Sequence, residues 1–267
     1  MIDIIANLIK DKKTQQEKYN FLREHLQLLV LKILDEKGFF KNLSFVGGTA
    51  LRILYDLKRF SEDLDFCLVD AKDYDFMDML RTIQNELSLA NLHVRTKGKS
   101  HKTVASAFIY FEDLLQPLNL SPHKDQKLSI KFEVDQNPLS NFNTTFSMIN
   151  KSMLIGINHF DLPSLFGGKL HAILCRKYTK GRDIYDLIWY LGKNIKPNYA
   201  FLNQAILQTE DKRLDLNRET LIAQLKKKFN EENFKLIRDD IIPFLENPEE
   251  IRFFEKDFLL KIMEQLL

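Results

Sequence analysis

The chain has 267 residues, 45% of them hydrophobic and 28% charged, which suits one large or two ordinary globular domains and excludes a disordered or fibrous chain. A formal charge of only +2 gives no global electrostatic case for nucleic-acid binding. No stretch approaches the ~20 apolar residues of a membrane span, and Cys67 and Cys175 form no disulfide framework.

Residues 16–37 carry Tyr19, Leu22, Leu26, Leu29, Val30, Ile33 and Leu34 at helical spacing, and Gly38 ends that helix. Leu43 to Val46 reads as a short strand running into Gly47-Gly48, with a helix from Thr49 to Leu57 after it. A second strand is predicted over 63–69, then a helix from about Asp73 to Leu89 with Phe76, Met79, Leu80, Ile83 and Leu87 on one side. Segments 92–97, 104–112 and 127–135 alternate as strands, and 144–149 and 153–158 are shorter extended pieces. Asp161 and Pro163 look like the N-cap and first turn of the next helix. Beyond it the pattern is helical: 162–177, 181–193, 198–209, 217–229, 231–244 and 248–266. The expected fold class is therefore α+β, a mixed sheet with helices on one face followed by a C-terminal helical bundle. The boundary falls near residue 160, giving domains 1–160 and 161–267.

The densest chemical signal is Phe45-Val46-Gly47-Gly48-Thr49-Ala50-Leu51-Arg52 followed by Arg59-Phe60-Ser61-Glu62-Asp63-Leu64-Asp65-Phe66. Asp63 and Asp65 are two apart on a strand, so both carboxylates share a face while Leu64, Phe66 and Leu68 point into a core. Two like charges so placed repel, and a divalent cation is the natural compensation, because Mg²⁺ is shared between one or two carboxylates and substrate phosphates. A glycine turn at a helix N-terminus suits those phosphates. Each feature also has a plain reading: a strand–helix turn for Gly47 and Gly48, a helix cap for Thr49, loop closure for Arg59 and Ser61. None of these explains an acidic pair following a glycine turn by one helix length. Strand 127–135 sets Ser129, Lys131, Glu133 and Asp135 on one face, which alone is an ordinary half-solvated strand. Lys169 shares a helix face with Arg176 in an otherwise apolar run, and Arg182, Asp183 and Asp186 follow on the next helix. A surface salt-bridge set is the default there, but an apolar run makes a solvated face less fitting. Lys suits a triphosphate as a point charge.

The glycine–helix–Asp-x-Asp arrangement resembles the nucleotidyltransferase motif of the DNA polymerase β superfamily. Its local wording is similar to the AbiEii-type nucleotidyltransferase toxins of abortive-infection and type IV toxin–antitoxin systems. A second block, Leu165-Phe166-Gly167-Gly168-Lys169-Leu170-His171-Ala172 through Arg182-Asp183-Ile184-Tyr185-Asp186-Leu187, resembles the same family. The two blocks cover roughly 44–69 and 162–191. The resemblance implies a polymerase β-like fold and a transferase that uses an NTP and Mg²⁺ or Mn²⁺. It implies a third carboxylate on a neighbouring strand, for which Glu133 is chosen and Asp135 held in reserve, making Asp63, Asp65 and Glu133 the metal set. Lys169 and either Asp183 or Asp186 would complete the catalytic group, with Gly47, Gly48, Thr49, Arg59, Ser61, Lys169, Arg176 and Arg182 around the nucleotide. It further implies a growth-inhibiting toxin with a separately encoded antitoxin, acting on a tRNA 3′ end or on a protein.

Two other readings compete. A glycosyltransferase would use Asp-Leu-Asp to hold a nucleotide-sugar's metal, but the preceding glycine turn argues against it. A degenerate nucleotide-binding or interaction module is the non-enzymatic alternative, opposed by the retained lysine and carboxylates. Basic residues at Lys97, Lys99, His101 and Lys102, at Arg176 to Arg182 and at Lys226 to Lys228 could attract an RNA backbone. No recognition motif accompanies them, and solvated faces are the default. The start Met1-Ile2-Asp3-Ile4-Ile5 has no signal-peptide pattern, so a cytoplasmic location with no membrane partner is expected. The nucleotide used, the acceptor and the oligomeric state are not legible.

Overall fold

The computed structural model describes residues 2–101, 103–211 and 213–267. The chain forms two compact units: Met1–Leu54, Phe60–Pro138 and Thr145–His159 make one, and Tyr55–Arg59, Leu139–Thr144 and Phe160–Leu267 the other. Among the described residues no helix is long and apolar enough to cross a membrane.

The first unit is built on a seven-stranded sheet. Its elements run α1 (Ile2–Ile9), α2 (Gln15–Glu36), β1 (Leu43–Val46), α3 (Gly47–Tyr55), β2 (Leu64–Leu68), α4 (Phe76–Leu89), β3 (His93–Lys99), β4 (Val104–Glu112), β5 (Leu128–Asp135), β6 (Thr144–Asn150) and β7 (Leu154–Phe160). The strand order is β3-β4-β5-β2-β1-β7-β6. β2 pairs parallel with β5 and β1 parallel with β7, while β1–β2, β3–β4 and β4–β5 are antiparallel, so the sheet is mixed. Alternation does what period two requires: Leu64, Phe66 and Leu68 are buried, and so are Leu128, Ile130, Phe132 and Val134. Phe66 lies between Phe45 and Phe132, with ring centroids at 5.1 and 4.9 Å. Helix α4 covers that side with buried Phe76, Met79, Leu80, Ile83 and Leu87, its N-terminus capped by Asp75.

The second unit is helical: α5 (Leu162–Cys175), α6 (Gly181–Gly192), α7 (Tyr199–Glu210), α8 (Arg218–Glu231), α9 (Phe234–Ile241) and α10 (Lys256–Leu266). Asp161 caps α5 by accepting from the Ser164 N–H, with Pro163 in the first turn. The start of α6 is pressed against α9. Gly181 donates its N–H to Asp240 at 2.8 Å, and a Cβ there would fall 2.2 Å from the Ile237 carbonyl oxygen.

Three differences from the sequence-based reading have local causes. Helix α1 was not anticipated, because eight residues give too little periodicity to stand out. Helix α3 begins at Gly47 rather than Thr49, so Thr49 lies inside the helix and is no cap. The helices expected over 231–244 and 248–266 break into 3₁₀ turns at Ile242–Phe244 and Pro248–Phe253, where Pro243 and Pro248 remove backbone donors.

Candidate active site

In the first unit, strand register assembles an acidic face. Asp65 stands directly beside Glu133 across the parallel β2–β5 pair, and beside Val46 across β1. Gly47 follows Val46 with φ +80°, and a Cβ on it would come within 2.5 Å of Asp65 Oδ2. That position therefore demands glycine twice over: for a left-handed backbone and for room beside the carboxylate. Thr49, buried on the first turn of α3, donates its hydroxyl to the Asp63 carbonyl. It ties the helix to the strand that carries the aspartates, and its hydroxyl is engaged there rather than by a phosphate. Ser61 offers its carbonyl to Gln27 Nε2 at 3.1 Å, a loop contact.

One lysine sits among these carboxylates. Lys131, two residues before Glu133 and so on the same face, approaches Glu133 Oε2 at 2.7 Å. Burial pushes the Lys131 ammonium down, but the hydrogen bond to Glu133 and the charges of Glu133, Asp63 and Asp65 outweigh it and raise it overall. Asp135 is opposite Cys67, two pairs beyond Glu133, and burial raises its carboxyl. The same surroundings, with the Asp135 and Asp65 charges, raise the Cys67 thiol, so it stays a neutral packing group. Among the described residues no three His, Cys, Asp or Glu side chains gather as a ready metal cluster; the Glu133 carboxylate faces Lys131 instead. Even so, the donor set suits a hard divalent cation. It is all carboxylate oxygen, and an ammonium already stands within it.

The second unit holds a buried ion cluster. Lys169 Nζ on α5 reaches Asp183 Oδ1 and Asp186 Oδ2 on α6, each at 2.8 Å. Arg176 Nη1 donates to Asp183 Oδ2 at 2.6 Å. Arg59 clamps Asp186 with two parallel bonds of 2.7 Å, from Nε to Oδ1 and from Nη2 to Oδ2. The aspartates are 2% and 0% exposed and Arg59 is 1% exposed. Burial alone would raise the Asp183 carboxyl, yet the charges and hydrogen bonds of Lys169 and Arg176 bring it down to about 2. Burial likewise opposes the charge on Lys169, and Asp183 and Asp186 overcome it. Both aspartates thus hold Lys169. Arg59, read from sequence as a phosphate ligand or loop closure, is a structural partner of Asp186. Arg182 is half-buried, its guanidinium 4.4 Å from the Phe244 ring centroid.

Sequence reasoning left Lys131 without a role. Its signal was its place on the Glu133 face, but its partners across β2 appear only once strand order is known. Lys102 lies outside the described residues.

The family described as nucleotidyl transferase AbiEii toxin, type IV TA system, matches residues 29–261. The chain belongs to that family. The matched span of this AbiEii member contains every candidate residue from Gly47 to Asp186. Two solved structures share the fold. One, from H. pylori, is described as a candidate nucleotidyltransferase, with TM-score 0.53 and 19% identity over 91% of this chain and 94% of that one. The other is JHP933 from Helicobacter pylori, with TM-score 0.50 and 18% identity over 92% and 93%. A comparison with curated proteins gives no match.

Proposed function

We propose that this AbiEii-family protein transfers a nucleotide from an NTP to an acceptor hydroxyl, on an RNA such as a tRNA 3′ end or on a protein, as the toxin of a toxin–antitoxin pair. The observation that carries the reading is the register of Asp65 beside Glu133, hard against a glycine that cannot accept a Cβ.

Asp63 and Asp65 would hold Mg²⁺ or Mn²⁺, which when bound neutralises phosphate charge and polarises the α-phosphate. Gly47 and Gly48 give the triphosphate close access to backbone N–H groups at the start of α3. Lys169, held by two aspartates, contributes a fixed positive charge, with Arg176 and Arg182 in the same unit. Glu133 takes the proton of the acceptor hydroxyl as its oxygen bonds to the α-phosphorus, and the bond to the β-phosphate bridging oxygen breaks to release pyrophosphate. Lys131 holds Glu133 in place until a phosphate competes for the ammonium.

Incubating the protein with each α-³²P-labelled NTP, Mg²⁺ and total RNA tests this reading. Transfer of label that is absent in Asp65→Asn is expected. Absence of transfer to RNA or protein with every nucleotide rejects it.

A further inference from the structure

The helical unit contains a cavity lined by none of the ion-cluster residues. Tyr185, Ile188 and Trp189 recur at three- and four-residue spacing on α6 and so share a face, and that face forms one wall. Glu250, Phe253 and Phe254, on the 3₁₀ turn Pro248–Phe253 and just beyond it, form the other. The space between them is about 190 Å³. Its rings are fixed by contacts with one another and with neighbours. Trp189 lies against Tyr55 and Tyr190, with centroids at 6.5 and 5.2 Å. Tyr185 stacks with Phe254 at 6.1 Å, and Phe253 meets Phe258 at 5.8 Å. A cavity whose rings are already held in place needs little ordering to receive a ligand.

The charged group in this aromatic wall is a carboxylate. Glu250 is half-buried, and its Oε2 accepts from the Tyr185 hydroxyl at 2.6 Å. Burial and that bond keep the hydroxyl neutral, as a donor. The Glu246 charge also reaches the hydroxyl, while the opposing charge of Arg59 is clamped by Asp186. Four aromatic residues and a negative charge select among ligands. An anion is repelled. A nucleoside is too large, since cavities for molecules of that size begin at about 300 Å³. A neutral apolar molecule would strip water from Glu250 and replace none of its hydrogen bonds. An organic cation answers both features: the ring faces attract it, Trp most strongly, and Glu250 supplies the counter-charge. Phe253 shows the preference within the chain, with the Arg252 guanidinium 4.9 Å from its centroid. Glu246 and Glu249, just before Glu250 in sequence, are exposed acids, a residue type depleted from protein interfaces. They favour a free cation over a partner's surface.

We propose that this cavity binds a small organic cation of the quaternary ammonium or alkylguanidinium class, its charge against the Trp189 and Phe253 rings and beside Glu250. The site takes neither the NTP nor the acceptor, and it does not depend on the transfer reading above.

Trp189 is the chain's single tryptophan, so the intrinsic fluorescence of the full chain reads the cavity directly. Choline chloride and methylguanidine hydrochloride are titrated at matched ionic strength. Beside them run the neutral isostere of choline in which carbon replaces nitrogen, an arginine-bearing tripeptide amide, and ATP. At least one cation should change the emission saturably, with the neutral isostere about 10-fold weaker or silent. Glu250→Gln, which keeps the volume and can still accept from Tyr185, should weaken the cation about 10-fold. Phe253→Ala, at an exposed ring, should weaken it about 3-fold. Saturation by either cation supports the proposal and identifies the head group. Saturation by neither, equal affinity for the neutral isostere, or wild-type affinity in either variant overturns it. Binding confined to the peptide overturns it by making the cavity a protein dock, and binding confined to ATP by making it part of the nucleotide site. Cation binding intact with no NTP-dependent transfer removes the enzymatic reading alone and leaves this site standing.

Discussion

The two charged centres solve opposite problems. On the sheet, three carboxylates, Asp63, Asp65 and Glu133, face one ammonium, Lys131, and all are only half-buried. In the helical unit, two aspartates face three cations, Lys169, Arg176 and Arg59, and the aspartates are sealed from water. A half-solvated acidic surplus tolerates loss of a member and invites a cation from outside. A buried, mutually bonded group tolerates no loss, since each remaining charge would be stranded in a low-dielectric interior. Function and stability should therefore separate between the two.

Asp65→Asn breaks the comparison most sharply. Transfer should fall at least about 1,000-fold, since charge stabilisation at such sites is worth this much, while the melting temperature stays within a few degrees of wild type. Calorimetry beside the label-transfer assay checks both halves. Lys169→Met should do the reverse in kind, costing about 3 to 5 kcal/mol of stability as well as activity. Urea titration reads that loss, and an unchanged midpoint would show the cluster to be dispensable.

Acid sharpens the contrast. Asp183 is held below its unfolded value, down to about 2, so its contribution is complete above about pH 4 and fades as pH falls toward about 2. On the order of 2 kcal/mol is at stake. Lys169 is held above its usual value, so its contribution is complete below about pH 10 and fades at higher pH. Thermal melts across pH should show a plateau between these limits, with the acid limb flattened in Asp183→Asn.

Gly47→Ala comes next. It should cost about 1 to 3 kcal/mol through its positive φ and displace Asp65, so that transfer falls by more than stability alone explains. Lys131→Gln should be mildest for the fold, within about 0.5 kcal/mol as is usual for a partly exposed pair. It should nevertheless tighten Mn²⁺ uptake in the absence of nucleotide, read by electron paramagnetic resonance, by removing the resident cation.

What was legible in the sequence follows the range of each interaction. Asp63 and Asp65 were readable because period-two alternation is local, and Asp161 because a cap acts within three residues. Glu133 could be named only by resemblance, since nothing near residue 133 tells that β5 lies beside β2. Arg59 was misjudged for the same reason, with Asp186 127 positions away. Lys169 was singled out by its apolar neighbours, a sound signal of burial, but its two partners were left undecided. A helix reads as one face only when its packing is known. The error at Thr49 was different in kind: propensity makes Gly-Gly look like a turn, and tertiary contact with Asp65 turned it into a helix start.

The tight seat of Gly181 on α9 reaches further than the few atoms involved. Helix α6 carries both aspartates that hold Lys169, and its first residue is anchored by a segment more than fifty positions later in the chain. The buried lysine is thus hung on a late-synthesised keel. A ribosome that has not yet supplied residues 237–241 has made Lys169, Asp183 and Asp186 but not the surface that seats Gly181, so the final alignment of α6 waits for a segment translated more than fifty residues later.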